Sequence, residues 1–334
     1  MRQRLTSQPG MLCGLAILGA LSCCALFADF LSPYSPTRQH REFPSAPPTG
    51  WKPISAAVGQ PRLRYLVAGD EYRLLGLIPA RIHLFGADEP GRVFPLGTDS
   101  LGRDLWSRLL HGARRSMGIA AVSLLISLPL ALAIGGLAGY YGGAVDFIAM
   151  RTIELFLALP ALYLVIALRT ALPLDLEPER VFLAMVAVIA LFGWAHFARV
   201  IRGLALSLRT RDFILAAIAA GAGDWRILTK HLLPHLREFS MTQAALMAPG
   251  FILAEVTLSY LGLGVPEPLP SWGGMLASAT SAPATTLRWW NLAPMGAVFL
   301  ASLSFQLIAD GLRRRSDFHA RDDGSPRAPF RPPL

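Results

Sequence analysis

Few side chains in this 334-residue chain stand where they could do chemistry. Glu255 is an acid inside a long apolar run, and such a group faces either a partner on another helix or a water-filled path. Its own run offers no partner, so both readings stay open. Arg151 and Glu154 are three residues apart on one helix face and are expected to pair with each other. His196 has no second ligating side chain three or four residues away and reads as a packed helix residue rather than a metal ligand. Neither Lys52 nor Lys230 sits in a phosphate-cradling Gly-x-x-x-x-Gly-Lys-[Ser/Thr] loop, so ATP chemistry would have to come from another chain. Neither the zinc-protease His-Glu-x-x-His pattern nor the Gly-x-Ser-x-Gly turn of a serine hydrolase occurs. Cys13, Cys23 and Cys24 all lie in the first apolar run, without metal-ligand spacing or a disulfide framework. The expectation is a chain that is not an enzyme and holds no catalytic residue, cofactor or metal.

The elements around these residues are those of a membrane protein. Hydrophobic residues make up 53% of the chain and charged ones 16%, and the mean hydropathy is +0.44. Apolar runs long enough to cross roughly 30 Å of hydrocarbon predict an all-α bundle of six transmembrane helices, at about 11–31, 116–139, 147–169, 181–202, 239–262 and 292–312. The net charge of +9 gathers at span ends, which reads as topology rather than nucleic-acid binding. Arg2 and Arg4, the Arg313 to Arg315 run, and Arg202, Arg209, Arg211, Arg226, Lys230 and Arg237 between the fourth and fifth spans belong on the cytoplasmic side, with both termini. The first run is too long for a cleaved leader and is read as a retained helix. Residues 1–10 form a cytoplasmic tail and 317–334, rich in proline, a disordered one. Residues 32–115 form an external connector: a proline-rich lead, a strand-like or turn-rich patch from Arg62 to Phe94, then an interfacial helix. The acidic stretch Leu172 to Glu179 and the Pro- and Trp-rich Gly264 to Asn291 are the other external loops.

Within residues 116–316, the permease-like core, the cytoplasmic loop 203–238 carries the most informative stretch. Ala216, Ala217 and Ala220 stand at near-helical spacing before Gly221, which can end a short helix, and Asp224 can cap a second one near Trp225. Leu233-Pro234 marks the return to the membrane. The product is a helix-turn-helix knob with a small-residue face that fits a groove on another protein, or an ordinary amphipathic surface helix. This stretch resembles the coupling loop of permease subunits of type I ABC importers, with Leu215 where the family pattern has Glu. The resemblance implies that the knob sits in a cleft of a cytoplasmic ATPase and transmits its closure to the pore.

Two further stretches narrow the resemblance. Leu96-Gly97-Thr98-Asp99-Ser100-Leu101-Gly102-Arg103-Asp104-Leu105-Trp106 to Arg114 reads as a tight turn at Gly97 and Gly102, then a helix capped by Thr98 or Asp99. Leu105, Leu109 and Leu110 face inward on that helix, while Trp106 and Arg108 suit the membrane interface. Ala254-Glu255 through Ser259, Leu261, Gly262, Gly264 and Pro266, with Ser271-Trp272-Gly273 downstream, reads as a span end and the loop after it. Both are similar to segments of the dipeptide, oligopeptide and nickel permeases of the DppC/OppC type, although residues 40–92 exceed the usual connector. That insertion touches an external binding protein or covers the outer mouth. The family implies half of an inner-membrane path for peptides, or for nickel or another small solute. It also implies a homologous second permease, cytoplasmic ATP-binding subunits and an external solute-binding protein as partners. An ion-coupled carrier acting alone is the alternative outside the family.

Overall fold

The computed structural model describes residues 9–55, 62–74, 76–160, 163, 167, 177–281 and 288–322. Among these, five helices are long and apolar enough to cross a membrane. Helix α1 (Pro9–Leu26) precedes a single turn, α2 (Ala28–Leu31), and a hairpin of β1 (Leu63–Leu74) and β2 (Ile78–Ala87). The bundle continues with α3 (Leu105–Tyr141), α4 (Gly143–Ala158), α5 (Pro178–Arg209), the short α6 (Asp212–Ala219) and α7 (Asp224–Arg226), and α8 (Leu233–Tyr260). Then come α9 (Trp272–Ser281) and α10 (Ala293–Asp322).

The helical membrane bundle is as expected, but its boundaries differ for definable reasons. The first span stops at Leu26 because the Arg114 guanidinium, from α3, donates to the carbonyls of Ala25 and Leu26, both at 2.9 Å. Asp29, just beyond, accepts from Arg114 at 2.8 Å. The second span and the interfacial helix ahead of it are one continuous helix, since Asp104 caps α3 at its very start. Of the third expected span the structure describes α4, and nearly all of its continuation past Pro160 lies outside the described residues. So do most of the acidic stretch 172–179 and of the tail 1–10. Helix α10 continues to Asp322, into the stretch read as a disordered tail, whose remainder is outside the described residues.

Close backbone approach holds the centre together. A Cβ on Gly135 would collide with the Ala198 carbonyl, and one on Gly139 with Ala205, so these positions let α3 lie directly against α5. Ser123 and Ser127 hydroxyls donate from α3 to the Val186 and Ala190 carbonyls of α5. Among the described residues the apolar core has two large parts, with two smaller clusters beside them. One, near the hairpin end, gathers Ile119, Ile189, Phe251, Val256 and Trp272; the other, at the opposite end, gathers Trp194, Phe197, Ile201, Ile214, Ile227 and Leu232.

Of the strand-like and turn-rich readings of the insertion, the structure shows the former: β1 and β2 pair antiparallel from Leu63↔Ala87 to Leu74↔Ile78. The hairpin sits on α2 through buried His83, whose ring nitrogens lie 3.0 Å from Asp29 O, 2.6 Å from Ser32 O and 3.0 Å from Asp70 O. Buried Phe85 meets the Trp51 ring edge-on.

Candidate functional site

At the end away from the hairpin, α6 and α7 form a two-part knob. The chain stops at Gly221, whose φ of +78° is a conformation that side chains with a Cβ rarely adopt. The Gly221 and Ala222 amides donate to the Ile218 and Ala217 carbonyls and close the end of α6. Ile214, Ile227 and Leu232 turn inward to the apolar core, and Ala217 packs with them. The outward side is not a uniformly small face: Ala216, Ala219 and Ala220 are exposed beside Leu215, Ile218 and Trp225, the last 78% exposed. Asp224 does not cap. Gly223 holds the N-cap position, and α7 begins at Asp224 itself. The Asp224 carboxylate is used elsewhere, accepting a 2.8 Å hydrogen bond from the Tyr140 hydroxyl on the last turn of α3. From Ile227 to Leu232 the backbone is a π-helix, and it becomes regular at Leu233, just before Pro234.

At the hairpin end, the Gly97 to Asp104 motif builds a lock rather than an interfacial helix start. Thr98 is fully buried; its hydroxyl donates to Phe43 O and accepts from the Ala46 amide, stapling the proline-rich lead to the turn. Asp99 accepts from the Leu101 and Arg103 amides and from the Arg103 side chain at 2.7 Å. The helix cap is Asp104, not Thr98 or Asp99, and it accepts from the Ser107 amide and hydroxyl. Gly97 and Gly102 make the tight turns, packed against Ala46 and His40. Burial pushes the Asp104 carboxyl up to about 7, although the Ser107 hydrogen bonds oppose it.

Arg108, expected at the membrane interface, is instead 1% exposed. The reason is Glu267, in the loop after α8, which accepts from Arg108 at 2.9 Å and from Arg103 at 2.5 Å. Pro36 and Pro268 carbonyls accept from Arg108 Nη1, and Nε lies 3.8 Å from Asp99. No spacing signal in the sequence pairs residues so far apart, and the importance of Arg108, Glu267 and Tyr140 was not legible from it.

Glu255 lies one and a half turns from the end of α8 and is fully buried. It accepts from the Ser259 hydroxyl at 2.7 Å, and Ser116 and Ser271 stand beside it. Thus it faces neighbouring elements, not an open path, in this conformation. The adjacent Ala254 lines an open apolar cleft of about 520 Å³ between α5 and α8, with Phe192, Met247, Gly250 and Phe251. Arg151 and Glu154 pair with each other at 2.8 Å as expected, on an exposed face of α4.

Comparison with known proteins shows the family. Residues 131–322 match the family described as binding-protein-dependent transport system inner membrane component. Residues 1–48 match the N-terminal transmembrane domain of oligopeptide transport permease C. The di/tripeptide transport system permease protein DppC of Pseudomonas aeruginosa is 34% identical over 316 residues, 94% of this chain and 90% of that one. The oligopeptide transport system permease protein OppC of Bacillus subtilis is 35% identical over 237 residues, 70% of this chain and 75% of the relative. The dipeptide transport system permease protein DppC of the same organism is 31% identical, covering 94% and 83%.

Proposed function

Since the chain belongs to the family of binding-protein-dependent transport system inner membrane components, we propose that it is one half of a membrane path for di- or oligopeptides, driven by ATP hydrolysis on other subunits. The peptide cargo rests on the activities that its OppC and DppC relatives are named for. The family implies ATPase and solute-binding partners; a homologous second permease completes the path in this reading. The knob end faces the cytoplasm together with both termini, and the hairpin end faces outward, where the binding protein delivers cargo. The sign of the charges at the span ends supports that orientation.

One observation carries the coupling role: the knob is anchored inward by Ile214, Ile227 and Leu232 while Leu215, Ile218 and Trp225 remain exposed. Such a piece is rigid on one side and open to a partner on the other. Ala220→Trp tests it, because Ala220 is on the exposed side, whereas Ala217→Trp would overfill the chain's own core and Gly221→Trp would strain a positive φ. Expressed with its neighbouring genes, the tagged wild type should co-purify with an ATPase and a second permease. Ala220→Trp should insert normally and lose the ATPase; retention of a fully active ATPase by this variant would refute docking at the knob.

A further inference from the structure

Resting on that reading of the knob, the geometry points to Tyr140 as the positioning residue through which the knob moves α3, by way of the hydrogen bond from its hydroxyl to Asp224.

The bond joins two elements that are otherwise differently held. Asp224 opens α7, inside the knob, and its carboxylate oxygen Oδ1 lies 2.8 Å from the Tyr140 hydroxyl. Tyr140 is 8% exposed and sits one residue before the end of α3. The knob is also joined to α5 and α8 by the chain itself, and its packing against the core, through Ile214, Ile227 and Leu232, is apolar. Apolar contact is non-directional and lets surfaces slide, whereas a hydrogen bond to a carboxylate is directional and short. A displacement of α7 therefore pulls on α3 through Tyr140 rather than slipping past it.

The rest of α3 is built to respond in two halves. Pro129 lies inside the helix and removes one backbone hydrogen bond, the commonest cause of a bend. On the hairpin side of it, Ser123 and Ser127 are hydrogen-bonded to α5 carbonyls. On the knob side, Gly135 and Gly139 bring α3 directly against α5, and among the described residues no side-chain hydrogen bond crosses between the two helices there. The stretch from Pro129 to Tyr141 is thus a lever with its pinned end at Ser127 and its handle at Tyr140. Motion of the ATPase, delivered to the knob, reaches through this lever the helices α5 and α8, which pack against α3 and line the cleft between them.

The test uses the whole importer, with its second permease, ATPase and binding protein, in proteoliposomes. Tyr140→Phe removes only the donor. It is expected to leave assembly and basal ATP hydrolysis unchanged and to lower the peptides moved per ATP by about tenfold, within the range of ordinary coupling energies. Asp224→Ala should reproduce that loss, the double variant should add nothing to it, and Asp224→Asn, which keeps an acceptor oxygen, should restore coupling. Transport per ATP within twofold of wild type in Tyr140→Phe would overturn the inference while leaving the importer reading intact. So would loss of the ATPase from the Tyr140→Phe complex, because the bond would then merely hold the knob's shape. A wild-type complex that moves peptide without ATP would instead overturn the importer reading itself, and this inference with it.

Discussion

Arg108, in the first turn of α3, donates to Glu267 at 2.9 Å across a sequence separation of 159 residues, and its side chain is 1% exposed. The pair ties the start of α3 to the loop that follows α8, so these two helices share one anchor at the hairpin end. Arg103, also on Glu267, has Asp99 as a second partner. Arg108 has only a longer 3.8 Å approach to Asp99 and two proline carbonyls.

Removing Glu267 should therefore strand Arg108. A buried charge left without its partner costs up to several kcal/mol; Glu267 is 47% exposed, which lets water compensate in part. Glu267→Ala is expected to destabilise by about 1–3 kcal/mol, and Glu267→Gln by less because it keeps an acceptor. Thermal unfolding of the purified complex measures this; equal melting temperatures for Glu267→Ala and wild type would show that the anchor carries no stability.

Asp104 supplies a pH dependence with a definite sign. Its folded-state value is about 7 against 3.8 for an ordinary aspartate, because burial outweighs its Ser107 hydrogen bonds. Between those values the folded chain holds a proton that the unfolded chain has released. This group's contribution is accordingly full at the acid end of that window and falls as pH rises from about 4 to about 7. Asp104→Asn keeps a good helix cap without the titration. The difference between melting temperatures at pH 5 and pH 8 should shrink in that variant; an unchanged difference would mean that Asp104 is ionised throughout.

Glycines at the α3–α5 contact give a contrasting pair. Gly135→Ala would press a methyl group into the Ala198 carbonyl, forcing the helices apart at a cost of about 1–3 kcal/mol. Gly203→Ala, on an exposed side of α5 with open space around it, should gain roughly 0.5–1 kcal/mol from helix propensity. Melting temperatures that move in the same direction would contradict the packing described for α3 and α5.

The sequence made the membrane bundle legible because a span must be apolar along its whole length, and that signal survives without any partner. The hairpin was only half legible: the residues after the proline run read as strand-like or turn-rich, and their pairing appears only in the folded chain. Helix starts were less so: α3 begins at Leu105 because Asp104 caps it, and an aspartate in a polar stretch full of turn residues does not stand out. In the knob, alanine occurs on several faces of α6, so periodicity could not say that Ala217 points inward while Ala216 and Ala220 point out. The Tyr140–Asp224 and Arg108–Glu267 bonds join residues 84 and 159 apart, and only the folded chain brings them together.

Glu255 separates the importer reading from that of an ion-coupled carrier. A carrier acid must gain and lose its charge with access to water during the cycle, and replacing it by an amide stops transport. Here Glu255 is fully buried and accepts from Ser259 one turn along its own helix. A glutamine can accept that same bond, and among the described residues no cation pairs with the carboxylate. Glu255→Gln is expected to keep both the melting temperature and ATP-driven peptide uptake, whereas Glu255→Ala, which leaves the serine unpaired beside a cavity, should destabilise by about 1–3 kcal/mol. The measurement is uptake into proteoliposomes, with ATP alone and with an imposed proton gradient alone. Loss of uptake in a stably folded Glu255→Gln, together with gradient-driven uptake by the wild type, would make Glu255 the coupling acid and the chain a carrier. Preserved ATP-driven uptake would confine it to holding α8 against α3 and the loop that contains Ser271.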